Sequence, residues 1–192
     1  MRSKFCKWIF DLTGWKALVP PADNPEKYII VAAPHTSNWD FWYTMATFAI
    51  HKMPVRFTIK KEWMRFPFNL IMKPLGAIAI DRTARNSGAG RPSLTEAMVD
   101  LFKQHERLIL VITPEGTRKR NNKWKTGFYH VAKAAGVPIC PGFVDYQKKI
   151  TGIGKPIYPS DYKNDMQELM AFFKSIHPRY PENFSIDEHQ SS

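Results

Sequence analysis

The sequence predicts an α/β fold, with a mostly parallel central sheet covered by helices on both faces, on the strength of three observations. Short apolar segments at 28–33, 77–80 and 108–113 are too continuous for half-exposed strands and read as strands buried on both faces. Segments of helical periodicity alternate with them. Polar clusters stand directly after all three, where a parallel sheet gathers the carboxyl ends of its strands along one edge. The 192 residues suit a single domain.

Segment 2–17 places Phe5, Trp8, Ile9, Leu12 and Trp15 three and four apart, with Lys4, Lys7 and Lys16 among them, which predicts a short basic amphipathic helix. Pro20, Pro21 and Pro25 break the chain after it. Residues 1–20 therefore read as an N-terminal amphipathic helix and 21–192 as the body of the domain. A strand over 28–33 is followed by a helix over 38–51, a strand over 55–60 and a helix over 63–72 interrupted by Pro67. Beyond the strand at 77–80, Ser93-Leu94-Thr95-Glu96 is a capping-box signature for a helix over 93–104. The strand at 108–113 precedes a helix over 127–135 that Gly136 ends. Strands at 137–144 and 150–157 and a helix over 164–176 complete the pattern.

Composition excludes several classes. A hydrophobic share of 44% is enough for a core and excludes global disorder. A mean hydropathy of -0.36 and the lack of any uncharged apolar run of about 18 residues argue against a spanning helix. Cys6 and Cys140 match no zinc or CxxC spacing, so no disulfide framework is expected and a reducing compartment is the default. The basic N-terminus lacks the apolar segment and cleavage site of a secretory signal. With 28 Lys and Arg against 17 Asp and Glu, the net charge of +11 points to an anionic partner: nucleic acid, a phosphorylated metabolite or an acidic membrane face. Nucleic acid fits poorly, because the aromatic residues lie in apolar segments and are not interleaved with Lys and Arg. No GxxxxGK[ST], GxGxxG or GxSxG occurs. His51, His105, His130, His177 and His189 have no ligand-like spacing, so no metal site is expected.

The chemistry concentrates in the three polar clusters. In Pro34-His35-Thr36-Ser37-Asn38-Trp39-Asp40, His35 on the turn and Asp40 in the first helical turn are placed for the carboxylate to reach back to the imidazole. That pairing would fix the tautomer and leave the other ring nitrogen to take a proton from a hydroxyl. Ser37-x-x-Asp40 is equally a capping-box pattern, and His35 could be a structural hydrogen-bonder. In Pro114-Glu115-Gly116-Thr117-Arg118, Gly116 permits a tight turn with exposed N–H groups, and Thr117 and Arg118 add a hydroxyl and a guanidinium suited to phosphate. Arg82, in Asp81-Arg82, would complete a two-arginine clamp. Lys119, Arg120 and Lys123 read as a solvated basic loop.

Taken in order, His35–Asp40, then Gly76-Ala77-Ile78-Ala79-Ile80-Asp81-Arg82, Pro114-Glu115-Gly116-Thr117-Arg118 and Val137-Pro138-Ile139-Cys140-Pro141 resemble the four motifs of the glycerolipid (lysophosphatidic acid) acyltransferase family, the PlsC type. The resemblance spans about 28–145 and looks like a compact branch without spanning helices. It implies that His35 is the general base and Asp40 its partner, that a hydroxyl attacks the thioester of acyl-CoA or acyl carrier protein directly, and that no cofactor beyond that donor is used. It implies further that Arg82, Glu115, Gly116, Thr117 and Arg118 hold the phosphate and glycerol part of a lysophospholipid, foremost 1-acyl-sn-glycerol-3-phosphate, giving phosphatidic acid. Other acceptors (an ornithine-type lipid, another lysophospholipid, glycerol phosphate) and a non-catalytic anionic-lipid binder are the alternatives. Ala79, Lys119 and Gly142 depart from the family pattern, where Phe, Ser and Val are usual. The basic, Trp-bearing N-terminal helix fits either packing on the sheet or an anionic membrane surface. The second reading makes the protein cytoplasmic and peripheral on the inner face of the membrane. Trp39, Phe41, Trp42 and Tyr43 could line an acyl groove or fill the core.

Overall fold

The structure, a computed structural model, describes residues 2–18, 20, 25–60, 64–80 and 93–187. Its helices are α1 (Arg2–Thr13), α2 (Asn38–Ile50), α3 (Asn69–Met72), α4 (Leu94–Gln104), α5 (Gly127–Ala135) and α6 (Tyr162–Lys174). Its strands are β1 (Lys16–Ala17), β2 (Lys27–Ala32), β3 (Val55–Lys60), β4 (Ala77–Ile80), β5 (Leu108–Ile112), β6 (Ile139–Asp145) and β7 (Ile150–Ile153). They form one seven-stranded sheet in the order β1-β7-β6-β2-β5-β3-β4. Every pairing is parallel except β6 with β7, which a tight connection joins as an antiparallel pair. The α/β class read from the sequence is the one observed.

β2 is the centre of the sheet, and its alternation divides the core. Ile29 and Val31 point to one face, where they meet Leu108, Leu110 and the inner sides of α4, α5 and α6. Tyr28 and Ile30 point to the other, against Phe48 of α2, Val55 and Ile109. A strand with both faces buried must be apolar at every position, which is why 28–33 shows no polar alternation. Gly142 is required by close approach: a Cβ there would come within 2.5 Å of the Ile30 side chain. The departure to Gly142 thus reflects the packing of β6 on β2.

Local signals set most boundaries. Ser93 and Glu96 form the capping box, with the Glu96 N–H donating to Ser93 Oγ at 3.2 Å. Gly136 ends α5 in the left-handed region at φ 64°. Two expectations need correction. α1 stops at Thr13, because Gly14 turns the chain at φ 74° and Lys16–Ala17 pairs with β7. Trp15 consequently leaves the helical stripe and is buried with Phe10, against Tyr43 and Tyr146. Phe5, Trp8 and Leu12 remain outward and exposed, while Cys6 and Phe10 face the core. The helix expected over 63–72 is α-helical only at α3 within its described part, with Pro67 ahead of it.

After α6, residues 175–187 run back over the carboxyl edge as a strap that the sequence pattern did not suggest. The Tyr146 N–H donates to the His177 carbonyl at 2.9 Å, and the Tyr180 N–H donates to Thr36 Oγ1 at 3.4 Å. Further along, Trp124 donates its backbone N–H to Asp187 and its indole N–H to the Ser185 carbonyl, each at 3.1 Å. Among the described residues, no helix is long and apolar enough to cross a membrane.

Candidate active site

Because β6, β2 and β5 are adjacent and parallel, the segments leaving their carboxyl ends meet on one edge. The turn after β2 carries His35, and Ser37 caps α2 from an extended conformation, at φ -148° and ψ 165°. This places Asp40 in the first turn with its carboxylate directed back over the turn. Its Oδ2 accepts the N–H groups of Thr36 and Ser37, each at 2.7 Å. Its Oδ1 accepts the Ser37 hydroxyl at 2.9 Å and the Tyr146 hydroxyl at 2.6 Å. The His35 Nδ1 lies 3.7 Å from Oδ2, an ion-pair distance beyond hydrogen-bond range.

The electrostatics follow from this geometry. Burial pushes the Asp40 carboxyl up, but His35, Tyr146 and the Ser37 bonds together hold it below its ordinary value. Asp40 is therefore an ionised carboxylate with 4% exposure. Burial and the bond to Asp40 push the Tyr146 phenol far above its ordinary value, so its hydroxyl stays protonated and donates. The imidazole keeps 24% side-chain exposure, and its Nε2 has no protein partner among the described residues. An imidazole with a fixed anion behind it and an open nitrogen in front can take a proton from an incoming hydroxyl.

The turn after β5 supplies the second part. Glu115 is buried at 4% exposure, and its two oxygens accept the backbone N–H of His35 at 3.2 and 3.1 Å. Burial raises its carboxyl to about 8, a shift opposed by the His35 N–H and reinforced by the Asp40 charge. Gly116 turns at φ 67°, and a Cβ there would lie 2.9 Å from the Lys125 Nζ. A side chain would thus displace the lysine that overlies the turn. The loop is closed by the Lys125 N–H donating to the Pro114 carbonyl at 2.9 Å and by Asn121 Nδ2 donating to the Glu115 carbonyl at 2.9 Å. The Thr117 hydroxyl accepts the Lys119 N–H at 3.2 Å. Arg118 is exposed and reaches across to donate from Nη1 to Asn38 Oδ1, at the start of α2.

The structure thus brings His35, Asp40, Glu115 and Arg118 to one place, with Gly116 and Thr117 on the same turn. Arg82 lies outside the described residues. Trp42 and Tyr43 pack into the cluster around Phe10 and Trp15, whereas Trp39 and Phe41 are exposed. No cluster of His, Cys, Asp or Glu among the described residues could hold a metal ion. Sequence reasoning missed Tyr146 and Arg179, whose guanidinium lies 5.8 Å from the Tyr146 ring centre. The position of Tyr146, directly after β6, could have drawn attention to it. Nothing local marks Arg179.

A family model described as Acyltransferase matches residues 19–145. The 1-acyl-sn-glycerol-3-phosphate acyltransferase of Escherichia coli is 32% identical over 186 residues, covering 86% of this chain and 72% of that protein. The protein of the same name from Salmonella typhimurium is 32% identical over 177 residues, covering 81% and 68%. That from Haemophilus influenzae is 29% identical over 185 residues, covering 85% and 73%. The crystal structure of the 1-acyl-sn-glycerophosphate (LPA) acyltransferase PlsC from Thermotoga maritima shares the fold, with a TM-score of 0.57 at 19% identity over 90% of this chain and 75% of that one. The four motifs, the parallel sheet that carries them and the matched span agree that the chain belongs to the acyltransferase family of the PlsC type.

Proposed function

We propose that the protein moves a fatty acyl group from acyl-CoA or acyl carrier protein to the free hydroxyl of 1-acyl-sn-glycerol-3-phosphate, giving phosphatidic acid. The carrying observation is that the His35–Asp40 pair and Arg118 meet at the first turn of α2. A base and a phosphate-seeking cation are thereby within reach of one small molecule. The named activity of the 32%-identical relatives supports the choice of acceptor.

In this reading His35 Nε2 takes the acceptor's hydroxyl proton while the oxygen attacks the thioester carbonyl. The tetrahedral intermediate collapses by breaking the carbon–sulfur bond, and the imidazolium returns the proton to the leaving thiolate. The carboxylate of Asp40 stabilises the imidazolium in between. The thioester is already activated, so positioning and one base suffice, and no acyl-enzyme is formed. Arg118, Thr117 and the Gly116 N–H hold the acceptor's phosphate, with Arg82 as the second guanidinium. Glu115 contributes from below, by fixing the His35 turn through its backbone N–H.

The exposed Phe5, Trp8 and Leu12 on α1, with Lys4 and Lys7 beside them, suit an anionic membrane surface, which makes the protein peripheral on the inner face. The test is an acceptor panel with one radiolabelled acyl donor, resolved by thin-layer chromatography. Labelled phosphatidic acid from 1-acyl-sn-glycerol-3-phosphate is expected. Label appearing only on another lipid would refute the acceptor while keeping the reaction.

A further inference from the structure

Arg179 is a cation with no acidic partner among the described residues, held against the His35 turn by aromatic rings. Its guanidinium carbon lies 5.6 Å from the ring centre of Trp39, 5.8 Å from that of Tyr146 and 5.6 Å from that of Tyr180. The backbone beside it is anchored on both sides. His177 pairs with the fully buried Asp145 at 3.1 Å and gives its carbonyl to the Tyr146 N–H, while the Tyr180 N–H bonds Thr36. Arg179 itself is exposed. The Tyr180 and Tyr146 side chains are also within bonding reach of the guanidinium, and its five N–H donors leave others for an anion.

The sheet order places the strands behind the two arginines. His35 follows β2, whose neighbours are β5 on one side and β6 on the other. Arg118 follows β5, and Arg179 stacks on Tyr146, which follows β6. The strands behind their supports lie on opposite sides of β2, and the two arginines reach the start of α2 at neighbouring residues, Arg118 at Asn38 and Arg179 at Trp39. A transfer from thioester to alcohol brings two molecules to one base, and both bear phosphate. With the acceptor's phosphate on Arg118, the second cation is left for the other molecule.

We propose that Arg179 holds the phosphate of the acyl donor's pantetheine arm, a group that acyl-CoA and acyl carrier protein have in common. The inference rests on the acyl-transfer reading above for the existence of such a donor. Arg179 lies beyond residue 145, where the family match ends, so it belongs to the strap and not to the matched region.

The R179M variant keeps an apolar stem against the rings and removes the charge. KM is compared for acyl-CoA and for the same acyl group on N-acetylcysteamine, a thioester without phosphate, with R118M alongside. Loss of one charge-assisted contact should raise the KM for acyl-CoA about tenfold, leaving the phosphate-free donor and the acceptor within about twofold. R118M should show the converse, a loss in acceptor KM alone. An equal loss with both donors would overturn the proposal, since it would mean that Arg179 only orders the strap. A loss confined to acceptor KM would overturn it as well, placing the acceptor's phosphate there. Titration calorimetry with CoA and with holo acyl carrier protein needs no turnover. Binding about tenfold weaker in R179M is expected, and unchanged affinity for both refutes the assignment even if the enzyme acylates a different alcohol.

Discussion

Replacing Glu115 by Gln isolates one buried ionisation. The carboxyl of Glu115 has 4% exposure and is raised from 4.5 to about 8, chiefly by burial. Between those two values the folded protein keeps a proton that the unfolded chain has released. The folded state then binds more protons, so stability falls as pH rises through this window. From pH 5 to pH 8 the loss is about 3 kcal/mol, at about 1.4 kcal/mol per unit of difference. Gln can still accept the His35 N–H through its carbonyl oxygen but cannot ionise. Its extra N–H group adds a constant offset and no pH dependence. Urea unfolding of wild type and E115Q at pH 5, 6.5 and 8 should give curves that converge or cross, the wild type losing about 3 kcal/mol more across the range. For a chain of this size that corresponds to a difference in Tm shift of roughly 6–12 °C. Parallel pH profiles for the two proteins would refute the reasoning, because Glu115 would then ionise normally in the fold.

Other perturbations test the remaining parts. His35→Ala should cut acyl transfer by about 10²–10⁴-fold, read as thiol release from acyl-CoA, with native circular dichroism; undiminished turnover would falsify the base assignment. Tyr146→Phe removes one of the bonds that orient Asp40, and should lower kcat several-fold with both KM values unchanged; a change in KM alone would argue that Tyr146 touches substrate. Trp8→Ser should weaken binding to anionic liposomes at unchanged Tm, since Trp8 is 59% exposed. Trp15→Ser, by contrast, empties a core position and should cost about 3–5 kcal/mol of stability; the opposite assignment of the two effects would reverse the reading of α1.

Much of this molecule is legible in its sequence because the signals are local. The buried strands at 28–33 and 108–113 are apolar at every step, Ser93 and Glu96 announce a helix start, and Gly136 its end. The turn bearing His35 and the turn bearing Arg118 can both be found by their place after a strand. What escapes is set by tertiary contacts. The stripe of α1 continues through Trp15 in periodicity, but the pairing of Lys16–Ala17 with β7 removes Trp15 from the helix. Glu115 looks like part of an exposed anion loop, yet its side chain turns inward to a backbone N–H eighty residues away. Tyr146 and Arg179 act through partners more than a hundred residues distant, Asp40 and Trp39, and no spacing rule connects them.

The strap over the carboxyl edge has a consequence for synthesis. A ribosome delivers His35 and Asp40 early, but the hydroxyl that steadies Asp40 comes from residue 146, and the groups that tie down Trp124 come from residues 185 and 187. A nascent chain halted at the end of α6 has His35, Asp40 and Tyr146 but lacks the Tyr180 N–H that bonds Thr36 and the groups that hold Trp124. Products truncated there should melt at a lower temperature than the chain that carries the strap, because Trp124 and Thr36 lose the partners that residues 180–187 supply.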